Sequence, residues 1–318
     1  MSATPTTIGI VSAGEMGQAV AVVLRGQGHR VVTTLSDRSE QTAQRCNTAG
    51  IEVLSDSGQV VHEADVFMSL VPPSAAAAIA GQYCRFADSA PNGAIYVDLN
   101  SIGPQSAIRI AERLAACGVA FVDGAINGLA KNLQTSGTLF LSGSRARDVA
   151  ALFNRTLRTE ILGERPGQAS AMKMFLSGLS KGICALFVES ALAAEHYGML
   201  DAMTANTSRI YPQIMAIVER LLPTYAEHAA RRAVEMRELE QTIAEAGLDP
   251  CVMKAVRKIH DGIAGIELDA ADAKSIQSLI AQLSAAGVLA QESADDKTLT
   301  SNSTHSQFVT ENNHGQQT

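Results

Sequence analysis

The sequence has no excess of basic residues and no cysteine motif, and both absences exclude classes of protein. It carries 25 Lys and Arg against 32 Asp and Glu, for a net charge of −7, which disfavours a nucleic-acid-binding surface. Its five cysteines are scattered and none forms a C-x-x-C pair, so we expect neither a disulfide framework nor a zinc cluster. The seven histidines show no metal-ligand spacing either. These absences favour a reducing compartment and predict a protein without metal or nucleic-acid partners.

Long apolar segments are absent as well. No uninterrupted run of about 18 apolar residues, the length that a membrane-spanning helix needs, occurs in the chain. The opening residues, MSATPTT, show neither the basic region nor the apolar region of a secretion signal. We therefore expect a cytoplasmic protein with no membrane partner.

The first half of the chain alternates between short apolar runs and helical patterns. With 318 residues, the chain exceeds the size that one hydrophobic core usually supports, so two domains are expected. The runs that predict strands are TIGIVS, HRVVTTL, ADVFMSLVPP, GAIYVDLNS, VAFVDGAI and GTLFLSGS. Because helical segments separate most of them, they predict β-α-β units in a Rossmann-type, doubly wound parallel sheet, the core of an α/β domain.

From Gly167 onward the pattern is helical. The stretch GQASAMKMFLSGLSKGICALFVESALAAEHYG contains no proline and predicts one helix of about thirty residues. Further helices are predicted at 201–221, 224–246, 249–263 and 271–285, and the polar segment after them is typical of a disordered tail. We therefore predict a Rossmann domain over residues 1–166, an all-α C-terminal domain over 167–291 and a tail over 292–318.

The stretch GIVSAGEMG lies between the first predicted strand and the first predicted helix. In the dinucleotide-binding pattern G-x-G-x-x-G, Gly14 and Gly17 take the second and third glycine positions, while Ser12 stands in the first. A turn of small residues without a ligand is the alternative, but a strand before and a helix after favour phosphate binding at the helix N-terminus. The predicted cofactor contacts here are Ser12, Ala13, Gly14, Glu15 and Met16.

The stretch SDRSE follows the second predicted strand, where dinucleotide folds bind the adenosine ribose. Asp37 favours the ribose hydroxyls of NAD, whereas Ser36, Arg38 and Ser39 favour the 2′-phosphate of NADP. We predict NADP as the cofactor, with NAD as the alternative. A helix start capped by Ser36 or Asp37 explains the same residues without any ligand.

Six short motifs follow one another in the first two hundred positions of the chain. They are GIVSAGEMG, SLVPP, YVDLNSIGP, DGAINGLA, GTLFLSG and GQASAMKMFLSG. Together they resemble the β-hydroxyacid dehydrogenase family, which is related to 6-phosphogluconate dehydrogenase. Separately, YGMLDAM and AARRAVEMRELEQTIAEAGLDP resemble the helical C-terminal domain of an uncharacterised, phosphogluconate-dehydrogenase-like branch of that family. The resemblance implies an NAD(P)-dependent oxidoreductase that dimerises through its helical domain.

The resemblance also implies a catalytic residue. In the family, the lysine of a G-x-G-x-x-x-K-x-x-x-N helix motif exchanges the substrate hydroxyl proton while hydride passes to or from the nicotinamide. Gly167, Ala169, Lys173 and Ser177 occupy these four positions, which implies Lys173 as the general acid and base. The small and apolar residues around Lys173 are expected to desolvate its ammonium group and to lower its pKa. A structural lysine at the domain junction is the alternative.

Two departures from the family pattern fall in the implied substrate pocket. Ser177 replaces the usual asparagine, and a hydroxyl reaches less far and offers fewer donors than an amide. Asn127, followed by Gly128, replaces the serine of D-x-P-V-S-G-G that holds the substrate carboxylate in the family. The remaining contacts implied by the motifs are those of Val71, Pro72 and Asn100 with the cofactor and of Ser101 with the substrate.

These features predict an NADP-dependent enzyme that interconverts a small β-hydroxy acid, or a related alcohol, and its carbonyl form. An imine reductase of the same architecture is the first alternative, although such enzymes usually have Asp or Tyr where Lys173 stands. A non-catalytic NADP-binding redox sensor is the second alternative. A sensor is expected to keep the phosphate loop and to lose the lysine helix.

Overall fold

The computed structural model describes residues 5–36, 39–153, 156–268 and 275–289. The chain divides into two compact units, one formed by Met1–Gly182 with Arg231–Arg257 and the other by Ile183–Ala230 with Lys258–Thr318. The predicted domain limits of 1–166 and 167–291 stay a proposal, and the predicted tail over 292–318 lies outside the described residues.

An eight-stranded sheet forms the centre of the first unit. Its strands are β1 (Thr7–Val11), β2 (Arg30–Thr34), β3 (Glu52–Leu54), β4 (Val66–Ser69), β5 (Ile95–Asp98), β6 (Ala120–Asn127), β7 (Thr138–Ser142) and β8 (Arg158–Gly163). They lie in the order β3-β2-β1-β4-β5-β6-β7-β8. The chain thus builds outward from β1 to one edge and then returns to build outward from β4, as in doubly wound nucleotide-binding folds. The predicted Rossmann-type fold is confirmed.

The sheet is mostly, but not entirely, parallel. β6 and β7 pair antiparallel, with Asp123 opposite Ser142 and Asn127 opposite Thr138, whereas all other neighbours pair in parallel. A parallel pair needs a crossover of about a dozen residues or more, and the connection 128–137 is too short to provide one. The predicted doubly wound parallel sheet is therefore confirmed, with this pair as its antiparallel exception.

Two strands, β3 and β8, were not marked by the apolar runs of the sequence. Both lie at the edges of the sheet, and neither contains a buried residue. An edge strand needs less apolar surface than a central one, so the segments EVL and RTEILG carry no continuous apolar signal.

Helices cover both faces of the sheet. They are α1 (Glu15–Gly26), α2 (Glu40–Ala49), α3 (Ser57–Glu63), α4 (Ala76–Phe86), α5 (Pro104–Ala116), α6 (Leu133–Ser136) and α7 (Ala146–Leu152). On one face α1 contributes Val20 and Leu24 to a core cluster that includes Ile8 of β1. On the other face the ring of Tyr83 in α4 lies 4.8 Å from that of Phe67 in β4, centroid to centroid. Alternate residues of each strand thus fill two separate cores.

The later elements are all helical, as predicted: α8 (Gln168–His196), α9 (Leu200–Ile210), α10 (Pro212–Leu221), α11 (Tyr225–Glu245), α12 (Cys251–Ile263) and α13 (Ile276–Ala285). α8 has 29 residues, close to the predicted length. The predicted helix 201–221 is instead interrupted at Tyr211, because the residue before Pro212 is sterically disfavoured in a helix. By length and composition alone α8 also meets the criterion of a membrane-spanning helix, which core helices of soluble proteins meet as well.

Candidate functional site

The turn between β1 and α1 has the geometry of a phosphate-binding loop. Ser12 adopts a φ of +68°, in the left-handed region that favours glycine. A Cβ atom at Gly17 would lie 2.5 Å from the carbonyl oxygen of Ser12, so the close approach of helix and turn requires glycine there. Gly14 is the N-cap of α1 and provides no side-chain cap for the helix N–H groups. The loop therefore retains the close packing of the dinucleotide pattern although its first glycine is a serine.

The other predicted contacts of this loop differ in exposure. The side chain of Ala13 is buried in the core, that of Met16 packs against it, and Glu15 is exposed. The contribution of Ala13 to an anion site is therefore limited to its backbone. Around Gly14 the space is open, since a Cβ atom there would meet only the Ser12 hydroxyl, at 4.0 Å.

A cavity of about 280 Å³ opens beside this turn, at the ends of β1 and β2. Ser12, Thr34 and Ser36 contribute hydroxyl groups to its wall, and Tyr83 and Phe86 of α4 contribute aromatic rings. The hydroxyls of Thr34 and Ser36 lie 3.1 Å apart. The cavity thus combines hydroxyl groups with aromatic surface, which suits the ribose and base of a nucleotide.

Of the residues predicted to select the cofactor, Ser36 lies in the cavity wall. Ser39 has a structural role, since its hydroxyl accepts a hydrogen bond from the Thr42 N–H at 3.4 Å and caps α2. The alternative interpretation, in which Ser36 or Asp37 caps this helix, is therefore wrong about the capping residue. Asp37 and Arg38 lie outside the described residues.

Asn100 holds together the ends of β4 and β5. Its Oδ1 accepts from the N–H of Val71 at 2.6 Å, and its Nδ2 donates to the Ser69 hydroxyl at 3.0 Å and to Asp98 Oδ2 at 2.9 Å. Asn100 is buried, and both N–H groups of its amide are occupied. The side chain fixes the loop that carries Val71 and the exposed Pro72, and the predicted contact of Asn100 with the cofactor stays a prediction.

Asp98 is the buried acid of this cluster. Its carboxylate accepts hydrogen bonds from the backbone and the amide of Asn100, both at 2.9 Å. Burial raises the pKa of Asp98 to about 7, the hydrogen bonds of Asn100 oppose the rise, and the charge of Asp123 adds to it. The end of β5 is therefore held by an acid that titrates near neutrality.

Asp123 anchors the first turn of α8 to the sheet. Its Oδ2 accepts hydrogen bonds from the N–H groups of Gly167, Ala169 and Ser170 at 2.9, 3.0 and 3.1 Å. The Ser170 hydroxyl donates to Oδ1 at 2.6 Å, and the Ser142 hydroxyl donates to Oδ2 at 3.1 Å. A carboxylate at a helix N-terminus satisfies free N–H groups and meets the positive end of the helix dipole. This role of Asp123 was not predicted, although an acid inside the apolar strand VAFVDGAI is a visible signal in the sequence.

Lys173 projects from the second turn of α8 to the loop after β5. It is half-buried, and its Nζ donates a hydrogen bond to the Ser101 hydroxyl at 2.6 Å. Desolvation lowers the pKa of Lys173 to about 8, the carboxylate of Glu235 opposes the change, and the charge of Lys181 adds to it. An amine with this pKa exchanges protons readily near neutral pH.

Ser177 follows Lys173 by one turn and contacts a second lysine. Lys181 is buried, its Nζ donates to the Ser177 hydroxyl, and it forms an ion pair of 2.5 Å with Glu235 of α11. The second oxygen of Glu235 binds Arg231 at 2.9 Å. The charges of both lysines, Lys173 and Lys181, are thus opposed by the carboxylate of Glu235.

Asn127 and Gly128 lie at the end of β6, and both are exposed. Gly128 has a φ of +138°, and a Cβ atom there would lie 3.0 Å from the Cα of Gly137, so only glycine fits this turn. Among the described residues no hydrogen bond joins Asn127 or Gly128 to Lys173. The structure thus joins Ser101 to Lys173 and places Ser177 one turn from Lys173 on α8.

The fold and these groups define a class of protein. Nicotinamide-dependent oxidoreductases combine two features that are present here. One is a doubly wound sheet with an uncapped helix N-terminus after β1, and the other is a lysine of lowered pKa on a helix anchored to the sheet. Residues 7–155 match the NAD-binding domain of 6-phosphogluconate dehydrogenase, and residues 194–263 match a domain of unknown function, DUF1932.

Solved structures narrow the class to a family. The conserved protein MTH1747, of unknown function and structurally similar to 3-hydroxyacid dehydrogenases, is 30% identical with a TM-score of 0.68; the match covers 81% of this chain and 96% of that one. A conserved hypothetical protein from Sinorhizobium meliloti 1021 is 28% identical with a TM-score of 0.71, covering 90% of this chain and 98% of the other. The chain belongs to the 3-hydroxyacid dehydrogenase-like family of NAD(P)-binding oxidoreductases, which confirms the resemblance seen in the sequence.

More distant structures share the fold alone. The 3-hydroxyisobutyrate dehydrogenase of Mycobacterium tuberculosis is 15% identical with a TM-score of 0.68, over 85% of this chain and 98% of that one. An imine reductase from Myxococcus stipitatus is 20% identical with a TM-score of 0.55, over 81% of this chain and 93% of that one. The fold therefore accommodates both kinds of enzyme.

Proposed function

We propose that the protein is an NADP-dependent oxidoreductase that interconverts a small β-hydroxy acid, or a related alcohol, and its carbonyl form, with Lys173 as general acid and base. The observation that carries the proposal is the environment of Lys173. Its pKa is lowered to about 8, its Nζ lies 2.6 Å from the Ser101 hydroxyl, and its helix is anchored to the sheet through Asp123. A lysine whose pKa is lowered by desolvation and whose Nζ lies beside a second polar group is a candidate for acid–base catalysis.

The residues of the β1–α1 turn fit a dinucleotide. The open space at Gly14 leaves room for a pyrophosphate against the uncapped N-terminus of α1, and the hydroxyls of Ser12, Thr34 and Ser36 face the adjacent cavity. When bound, the nicotinamide supplies the acceptor or donor of hydride. Val71 and the backbone of Asn100 lie at the ends of the strands beyond this turn, where the reactive end of such a cofactor is expected.

Lys173 of α8 accepts and returns the proton of the substrate hydroxyl. In the oxidation direction the neutral amine of Lys173 accepts the proton of the substrate hydroxyl, so the O–H bond breaks, an N–H bond forms and the carbon gives up hydride. In the reduction direction the ammonium form returns the proton to the developing alkoxide. Ser101 offers a hydroxyl group next to Nζ, Ser177 offers another one turn further along α8, and Asn127 with Gly128 offers donors for a carboxylate.

The preference for NADP over NAD is supported by the hydroxyl groups at the end of β2. Thr34 and Ser36 present two hydroxyl groups to the cavity; one donates to the other, and the second is a donor for a 2′-phosphate. Among the described residues that line this cavity none carries a carboxylate, and Asp37 lies outside them. We expect Arg38→Ala to weaken NADPH binding and to leave NADH binding unchanged, whereas equal weakening of both would contradict the preference.

An imine reductase is the second candidate, and the shared fold favours it only in general terms. Both candidates use the same reduced cofactor. Only the substrate that is turned over, an imine or a carbonyl compound, therefore distinguishes the two. The non-catalytic sensor is disfavoured because such a protein is expected to lose the lysine helix. Here α8 keeps Lys173, its hydrogen bond to Ser101 and its anchor at Asp123.

We also propose a homodimer formed through the helical part of the chain, and a cytoplasmic location. Phe175 and Leu179, one turn apart on α8, are 45% and 64% exposed. Large apolar side chains so exposed on one helix face are typical of a subunit interface. Light scattering coupled to size-exclusion chromatography measures the mass, and a monomer at micromolar concentration would contradict the dimer.

The deciding experiment has two stages. First, the purified protein is titrated with NADPH and with NADH by cofactor fluorescence; saturable binding of NADPH is expected. Second, a panel of β-hydroxy acids, semialdehydes, β-keto acids and cyclic imines is screened for absorbance change at the nicotinamide band. Turnover of a hydroxy acid or carbonyl pair supports the proposal, turnover of imines alone supports the second candidate, and absence of cofactor binding refutes both.

A further inference from the structure

Two half-buried cysteines meet behind the cavity, on the side of the sheet covered by α4 and α5. Cys84 lies in the last turn of α4, and Cys117 immediately follows α5. Their sulfur atoms lie 3.8 and 3.4 Å from one backbone oxygen, that of Arg113, and the Cys84 side chain hydrogen-bonds to Cys117. The two thiols, 33 positions apart in the chain, are therefore neighbours in space.

The remaining cysteines have different surroundings. Cys46 and Cys184 are buried, and Cys251 is exposed. The proposed proton and hydride transfer uses none of the five. The paired arrangement of Cys84 and Cys117 is thus a separate feature of the molecule, and the other three thiols serve as internal standards for its reactivity.

The surroundings give the two thiols different roles. Burial and the neighbouring Cys117 raise the pKa of Cys84 to about 11, and the charge of Arg113 opposes this rise. Cys84 therefore stays a thiol near neutral pH, with its S–H beside the Arg113 carbonyl oxygen, which suits the resolving sulfur of a pair. A pair composed of one attacking and one resolving sulfur is the usual design of a redox-active dithiol.

We propose that Cys84 and Cys117 form a reversible intrachain disulfide when a peroxide oxidises the protein. The Cys117 thiolate attacks one peroxide oxygen, the O–O bond breaks, and hydroxide leaves as a sulfenic acid forms on Cys117. The Cys84 sulfur then attacks that sulfur, the S–O bond breaks, and the S–S bond forms as water leaves. In total two thiols lose two electrons and two protons, and one hydrogen peroxide becomes two waters. A small thiol reverses the reaction by exchange.

The location of the pair gives the bond a structural consequence. Tyr83 and Phe86 flank Cys84 in α4 and line the cavity at the ends of β1 and β2. A disulfide ties this turn of α4 to the end of α5. We expect it to change the cavity wall and so the affinity for the nucleotide, a consequence that rests on the proposed function.

The test uses the full-length protein. After reduction and desalting, the protein is treated with hydrogen peroxide at a low molar ratio, alkylated and analysed by intact and peptide mass spectrometry. The expected result is the loss of two hydrogens and of two of the five alkylable thiols, a peptide linking Cys84 to Cys117, and full recovery with dithiothreitol. Cys84→Ser and Cys117→Ser each abolish the linked peptide, whereas Cys251→Ser retains it. Five free thiols after peroxide, or a linkage that survives Cys84→Ser, would overturn the proposal.

A second measurement separates this proposal from the function. NADPH is titrated into reduced and oxidised wild-type protein and into Cys117→Ser treated in the same way. A several-fold change in Kd in the oxidised wild type, absent in the variant, supports the link to the cavity, and equal values overturn that link. If neither form binds NADPH, the proposed function fails, while the mass measurement still decides whether the disulfide forms.

Discussion

The Nζ atom of Lys173 lies 2.6 Å from the hydroxyl oxygen of Ser101, although the two residues are 72 positions apart in the sequence. The contact joins the loop after β5 to the second turn of α8. It places the amine of lowered pKa at the carboxyl edge of the sheet, where nucleotide-binding folds position their substrates. This relationship, rather than any single motif, locates the proposed reaction.

Replacement of Lys173 by alanine is expected to remove the proton acceptor and leave the cofactor turn intact. Turnover should fall by about 10² to 10⁴-fold, the usual contribution of a general acid–base. The Kd for NADPH should stay within the error of the wild type. Lys254→Ala, which removes an exposed lysine paired with Asp249, is the matched control and should keep full activity. Parallel losses of cofactor binding and turnover in Lys173→Ala would show a structural role instead.

The pH dependence of turnover should follow the ionisation of Lys173. Oxidation of the alcohol requires the neutral amine, so its rate should rise with pH through a value near 8, and the reduction rate should fall over the same range. Glu235→Gln removes the negative charge that favours the ammonium form and leaves the charge of Lys181 uncompensated. Both changes lower the pKa of Lys173 further, so the profile of kcat/KM should move to lower pH.

The control for this prediction is Glu240→Gln, since Glu240 lies on the same helix but pairs with Arg257. Its pH profile should coincide with that of the wild type. A profile of Glu235→Gln that is unchanged or moved to higher pH would show that Lys173 is not the titrating group.

Asp123 should contribute to stability through the N–H groups of α8 that it satisfies. Asp123→Ala leaves the N–H groups of Gly167 and Ser170 without their acceptor, while that of Ala169 keeps the Ser142 hydroxyl, and each buried donor left unpaired costs about 1–3 kcal/mol. Ser170→Ala, which removes one hydroxyl and leaves the acceptor in place, should cost about 1 kcal/mol. Urea denaturation measures both free energies of unfolding. Equal effects of the two variants would contradict the anchoring role.

Removal of the backbone strain at Ser12 is expected to increase the stability of the protein, whereas Asp123→Ala decreases it. A residue other than glycine in the left-handed region costs about 1–2 kcal/mol, so Ser12→Gly should raise the thermal midpoint of the free protein. Ser12→Ala keeps the strain and removes the hydroxyl, and it should not stabilise the protein. If the hydroxyl binds a phosphate of the cofactor, both variants should weaken NADPH binding. A lower midpoint for Ser12→Gly would show that the serine side chain stabilises the turn.

Several elements of the fold follow from short-range patterns. The strand, small-residue turn and helix at GIVSAGEMG are all local, because side-chain period and the steric demands of a tight turn act over a few residues. The continuous helix from residue 168 follows from the absence of proline and of other breaks over its length. Apolar runs do not predict the strands β3 and β8, because both lie at the edges of the sheet and contain no buried residue.

The sequence by itself determined the class of the fold, the family and the position of Lys173, because these depend on local periodicity and on motifs in fixed order. Tertiary structure alone decided the partners of that lysine and the antiparallel pairing of β6 with β7. It also assigned Asp123 to the first turn of α8, across 44 to 47 positions of chain. Contacts at such separations depend on which strand ends meet at the edge of the sheet, and no local pattern specifies that arrangement.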